Sequence, residues 1–238
     1  MRVSYRLKIS VIAVLIFIAL LPGPLLAQSP EFLPEIDTHL KLNSFLRAYV
    51  EAKDDRDEGA SDQFEIGPSL QFYLKPLLKL KKITSFDLDD AKPRPLVLEV
   101  GYRYITAPQT ASTDRMQTAL TLHFPLKAGF ILSDRNRADL DWKSGEFTWR
   151  YRNKLTIERT VSIHTYHFIP YIAAEPYYVD KYHKWSTTDL YAGCLLPVGK
   201  HIQFNVYYEH ENNTGKSPNQ PRNDIGVALN LYYSLEKK

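Results

Sequence analysis

Carboxylates beside histidines, and one serine beside a histidine, are the side chains here that could carry out hydrolysis. Asp54, Asp55, Asp180, His183, Asp189, His210 and Glu211 fall in polar, turn-rich stretches. There, an acid and an imidazole could activate water on a peptide or lipid. Ser162 and His164 could act as nucleophile and base. Asp180 and His183 are three residues apart, and turn-rich segments are polar for solvation alone, so the reading adopted is that none of these is catalytic. His164 and His167 would point to opposite faces of an extended chain, which makes a shared metal unfavourable. The single cysteine, Cys194, excludes an internal disulfide and a cysteine-based metal centre. No cofactor is expected.

A second set of residues has a stronger pattern. In "DRNRADLDW" (134–142), alternate positions are Arg135, Arg137, Asp139 and Asp141. In "EFTWRYRNKLTIE" (146–158), they are Arg150, Arg152, Lys154, Thr156 and Glu158. The residues between include Leu140, Trp142, Trp149, Tyr151, Leu155 and Ile157. Paired as a hairpin at Ser144–Gly145, the two runs set Asp139 opposite Arg150 and Arg137 opposite Arg152, a repulsion that nearby acids such as Glu175 must relieve. The chemistry of such a column is ion pairing.

The elements that would hold it are strands. Period-two alternation recurs through Leu40–Val50, Phe64–Leu74, Leu96–Tyr104, Met116–Phe124, the two runs above, Phe168–Val179, Leu190–Leu196, Ile202–Tyr208 and Ile225–Tyr233. That predicts about ten strands, each near the length a tilted strand needs to cross a bilayer. Polar connections around 54–62, 106–114, 142–146, 180–188 and 212–224 fall on one side, and tighter ones such as "PVGK" (197–200) on the other. The segment 75–95 breaks that asymmetry and reads as an interfacial helix or irregular insertion.

Residues 1–27 read as a cleaved signal peptide: Arg2, Arg6 and Lys8, an apolar run from Ile9 to Leu21, then Pro22–Gly23–Pro24 before Ala27. The formal charge of +3 belongs to this segment, since removing it takes away three cations and no acid. The remainder is neutral, which argues against a nucleic-acid partner. A soluble sandwich, a lipocalin-like binding barrel and a membrane barrel all alternate. The export signal, the strand lengths and the 16 tyrosines favour the membrane barrel, with apolar faces outward to lipid, Cys194 among them, and charges inward. The expected architecture is all-β: a single closed antiparallel transmembrane barrel over 28–238.

"DRNRADLDW", "WRYRNKLTIER", "PYIAAEPYY" and "DLYAGCLLPVGKHIQFNVYYEHE" together resemble the domain-of-unknown-function family numbered 2490, bacterial outer-membrane proteins grouped with porin-like small barrels. The resemblance implies a location in the outer membrane of a Gram-negative bacterium and no established activity. "DIGVALNLYY" is similar to the signal read by the outer-membrane assembly machinery, with Asp224, Gly226, Leu229 and Leu231 in the expected order, although Glu236–Lys237–Lys238 follow it. The expected partners are membrane lipids and that machinery, and a monomer is favoured. Omptin-like proteases share the strand number, but their Asp and His two residues apart have no counterpart here. Arg135, Arg137, Asp139, Asp141, Arg150, Arg152, Lys154, Glu158 and Glu175 are expected to form a structural charge network. It fills a lumen that admits small ions at most. The function expected is thus non-enzymatic, structural or small-solute passage. A membrane-embedded hydrolase and a soluble periplasmic binding barrel are the alternatives.

Overall fold

The computed structural model describes residues 30–57, 60–74, 87–108, 110–215 and 221–236. The expected signal peptide lies outside them. The strands are β1 (Glu31–Asn43), β2 (Leu46–Asp57), β3 (Ala60–Leu74), β4 (Leu96–Thr106), β5 (Thr113–Pro125), β6 (Phe130–Lys143), β7 (Glu146–Arg159), β8 (Val161–Ile163), β9 (Tyr166–Val179), β10 (Lys184–Val198), β11 (Ile202–Asn213) and β12 (Arg222–Ser234). Eleven of them close into a barrel, while the short β8 pairs with β9 outside the ring. Among the described residues, no helix is long and apolar enough to cross a membrane.

Two expectations are corrected here. The ring has eleven strands where about ten were expected, and it is not antiparallel throughout. Neighbours alternate in direction, so an odd number brings the first and last strands together pointing the same way. The closing pair β1–β12 is parallel, from Glu31 opposite Asp224 to Lys41 opposite Ser234. The extra strand was hidden in the run from Leu40 to Val50, which crosses the β1–β2 turn at residues 44–45. A bulge between Lys41 and Asn43 makes Leu40 face Ala48 and Lys41 face Arg47. Even-numbered residues therefore point outward on both sides of the turn, and two strands read as one.

The alternation sorts side chains by polarity in an unusual sense. Ile36, Val50, Ile66, Leu70, Met116, Leu155, Ile172, Leu190, Val206 and Ile225 stand exposed on the outer face, Ile172 at 61 %. Arg47, Glu65, Glu99, Arg103, Arg115, Arg137, Asp139, Glu158 and Glu175 are buried inside. The outer face has a polar interruption in Asp134, Asn136 and Asn153, which satisfy one another: Asn153 Nδ2 donates to Asp134 at 2.7 Å and to Asn136 at 3.1 Å.

Local chemistry accounts for the turns and for one break in the ladder. The β6–β7 hairpin turns on Ser144 (φ 52) and Gly145 (φ 82), two left-handed residues of the kind that match strand twist. In β3, Pro68 has no N–H to donate, and β3 and β4 pair on either side of it, Ile66 with Tyr104 and Ser69 with Gly101. Two inward glycines sit beneath tyrosines. A Cβ on Gly226 would meet the Tyr207 ring at 2.0 Å, and one on Gly193 the Tyr171 ring at 2.6 Å.

The described part of the insertion, residues 87–95, is neither helix nor surface loop. It turns into the end of the barrel where β1–β2, β5–β6 and β10–β11 also connect. Gln203 Nε2 donates to Asp87 at 2.7 Å, Tyr73 Oη to Asp90 at 2.6 Å, and the Arg94 carbonyl lies 2.6 Å from His123 Nδ1. Ala91 packs with Tyr73 and Val97 in a small apolar cluster. The other end of the barrel holds the start of β1, the ends of β4 and β11, and the turns at 144–145 and 180–183. The described part of the connection thus lies on the side where short turns were expected, and it is folded inward as a plug.

Candidate functional site: the charged lumen

The column that β6 and β7 present to the lumen is held in register by direct pairs, Arg137 opposite Arg152 and Asp139 opposite Arg150. Asp139 is fully buried and takes three cations: Arg137 Nε at 2.5 Å, Arg150 Nε at 2.8 Å and Arg152 Nη1 at 3.9 Å. Glu175, reaching in from β9, binds Arg152 Nε at 2.8 Å and Lys154 at 3.6 Å. The clash of Arg137 with Arg152 is therefore relieved by Asp139 and Glu175. Asp141 and Glu158 belong to other groups. Asp141 binds Arg115 at 2.6 Å, and Arg115 also binds Glu65 at 3.1 Å. Glu158 accepts a hydrogen bond from Lys92 of the plug. Arg135 pairs with Glu99 at 3.3 Å.

Replacing Asp139 by asparagine keeps the shape and removes the charge on which three guanidiniums converge. Stability should fall by about 3 kcal/mol, the lower range for breaking a buried ion pair. An added Arg150→Gln should restore part of it. Urea unfolding of the refolded barrel in detergent measures both; an Asp139→Asn protein as stable as the parent would remove the hub from the account.

Several lumen residues lie on strands whose polar face is legible, but their partners are distant in sequence. Glu99 accepts from Tyr49 Oη at 2.8 Å, Gln71 Nε2 at 2.9 Å and Gln117 Nε2 at 3.0 Å, drawing β2, β3 and β5 toward β4. Arg103 is completely buried beside the break at Pro68. Its Nη1 donates to the carbonyls of Tyr102 (2.9 Å), Gly67 and Pro68 (both 3.1 Å), and its Nη2 to Glu51 at 2.9 Å. On β1 and β2, Glu35, Asp37 and Glu51 bring carboxylate oxygens within 4.8 Å of one another. The alternation in the sequence begins at Leu40, past Glu35 and Asp37, so this group is not legible there.

The plug is pinned by Arg47, whose guanidinium binds Asp89 and, at 3.1 Å, Asp90. Burial works against the charged form of Asp89, but Arg47 outweighs it and holds the carboxyl well below the usual range. At Asp87 the balance goes the other way: burial, with Asp89 and Glu158 adding to it, outweighs Lys92 and pushes the carboxyl up to about 6. The folded protein thus holds the Asp87 proton more tightly than the unfolded chain. Raising the pH from about 4 to about 6 should weaken plug docking, while the Asp89 contribution is already complete above about 4. Hydrogen exchange of amides 87–95, corrected for intrinsic rate, should show more opening at pH 7 than at pH 5. Asp87→Asn should flatten that difference; an unchanged difference in the variant would refute the assignment.

The residues weighed as catalytic stay local. Ser162 Oγ lies 2.8 Å from His167 Nδ1, on the exposed β8–β9 hairpin, and not against His164, which occupies the turn with φ 57. Asp180 and His183 are 3.8 Å apart across one turn, with the His183 ring exposed. His210 Nδ1 contacts Asn223 at 2.8 Å, Asp189 accepts from Tyr177, and Asp54 pairs with Arg56 at 2.9 Å. In β12, Asp224 is buried against Arg222 at 2.8 Å and Gly226 faces the lumen, while Leu229 and Leu231 alternate with them on the outer face. Cys194 is half-buried. Compared with known proteins, the chain matches no family model and no curated sequence.

Proposed function

We propose that this chain is an outer-membrane β-barrel of a Gram-negative bacterium, non-enzymatic, with a narrow charge-filled lumen that serves a structural role or passes small ions. The carrying observation is the inversion of polarity over a closed ring, with ions enclosed and aliphatic side chains exposed. An exposed apolar surface of this extent would aggregate in water and is what acyl chains require. Aromatic residues add support near the ends of the strands. Toward one end, Trp142 and Phe147 meet tilted at 5.3 Å, Trp149 and Tyr178 stack at 5.5 Å, and Tyr178 meets Trp185 edge-on at 5.9 Å. Phe45, Phe124, Tyr166 and Tyr233 are exposed toward the other. Asp134 is tolerable on that face because two amides share its charge. Membership of family 2490, the signal peptide and recognition of β12 by the assembly machinery are parts of the same proposal.

Eleven strands fall between the eight that side chains fill and the sixteen that leave an aqueous channel. With the plug in place, conductance in planar bilayers should be low. Membrane fractionation with a heat-modifiable gel shift tests the reading. An unboiled sample should migrate differently from a boiled one and come from the membrane, whereas recovery from the soluble periplasm would refute it in favour of a binding barrel.

A further inference from the structure

Two walls of the lumen carry charge that they do not themselves neutralise. On β6 and β7, five cations share three carboxylates: Arg135 takes Glu99, Arg137 and Arg150 take Asp139, Arg152 bridges Asp139 and Glu175, and Lys154 takes Glu175. On β1 and β2 the balance is reversed, since Lys53, which faces Glu35 across the strand pair, is held by Asp55 at 2.9 Å. Glu35, Asp37 and Glu51 lie within 4.8 Å of one another, and Arg103 on Glu51 is the one cation within ion-pair distance of them among the described residues. Asp37 Oδ1 is buried with no hydrogen-bond partner among the described residues.

These walls oppose each other, because β1 and β6 are five places apart in a ring of eleven strands. A cavity of about 190 Å³ is lined by Glu35, Glu51 and Lys53, with Glu65 beside them, from one side and by Arg135, Arg137, Arg152 and Lys154, with Glu175 among them, from the other. An adjoining space of about 300 Å³ adds Asp37 to the acidic side and again reaches Arg135 and Lys154. Unneutralised charges enclosed away from bulk water are costly, and each wall's excess is of the sign the other needs. A lone cation answers only the acidic wall, and a lone anion only the basic one. A molecule carrying both charges, with a few carbons between them, answers both.

We propose that this lumen binds a small zwitterion of the amino-acid or ω-amino-carboxylate class. Its carboxylate lies against Arg135, Arg152 and Lys154, and its ammonium lies among Glu35, Asp37 and Glu51. The inference needs the closed barrel but not the membrane, so it can fail while the proposed location stands, and the reverse.

Titration calorimetry on the full-length barrel in detergent, with glycine, 4-aminobutanoate and 6-aminohexanoate, tests it against acetate, methylammonium and calcium. At least one amino acid should bind about tenfold or more tightly than acetate and methylammonium. Glu35→Gln with Asp37→Asn, and separately Lys154→Gln, should each weaken that binding about tenfold or more, in protein whose heat-modifiable migration is unchanged. The ligand comparison on the unaltered protein stands even if a variant does not fold. Zwitterions binding no better than the single ions, calcium alone binding, no ligand binding at all, or folded variants with undiminished affinity would each overturn the proposal.

Discussion

Arg103→Met should cost about 5 kcal/mol, at the upper end for a buried charge stripped of its partner. The arginine does two jobs at once. Pro68 interrupts the β3–β4 ladder, and the guanidinium supplies donors to the Gly67, Pro68 and Tyr102 carbonyls at that point. It also holds the Glu51 carboxylate at 2.9 Å and the Tyr49 hydroxyl at 3.2 Å. Methionine fills similar space, yet it leaves buried carbonyls without donors and Glu51 without its cation. Arg103→Lys keeps the charge but lacks the planar fork, and should recover less than half of the loss. Arg56, which is 39 % exposed and paired with Asp54, is the control: its removal should cost under about 1 kcal/mol. Urea midpoints in detergent would decide, and a loss at Arg103 no larger than at Arg56 would sink the interpretation.

The parallel seam has a consequence for sidedness that is all or nothing. β1 begins at the end of the barrel that holds the 144–145 turn, and β12 finishes at the end that holds the turn after Val198. In a Cys194→Ser background, Pro30→Cys and Ser144→Cys should therefore label together with an impermeant maleimide on intact cells. Lys200→Cys and Glu236→Cys should label only after lysis, if the finishing end of β12 faces the periplasm. An even-stranded ring puts both termini on one face. Matching behaviour of positions 30 and 236 would thus rule out the eleven-strand closure.

Much of the wall was readable because a strand's two faces meet two solvents, and period two records that directly. The column from Arg135 to Glu158, the hairpin at Ser144–Gly145 and the inward reach of Glu175 all follow from residues near in sequence or from alternation. What escaped the sequence depends on other information. β1 was concealed because the bulge at Lys41–Asn43 kept the parity of the alternation through a turn, so the run from Leu40 to Val50 looked continuous. The partners of Glu99 and Arg103 come from strands tens of residues away, and alternation gives the face without the depth at which two strands align. The plug has no periodicity to read. Its docking rests on Arg47 meeting Asp89 and Asp90, residues that look like ordinary loop acids.

Gly193 and Gly226 set the bore of the lumen by what they lack. Tyr171 and Tyr207 lie flat against the wall above them, and both rings border the cavity between the charged walls. One methyl at either position would tip a phenol toward the axis and narrow the passage without touching a single charge. Calibre and electrostatics are thereby set by different residues, and each can be tuned while the other is left alone.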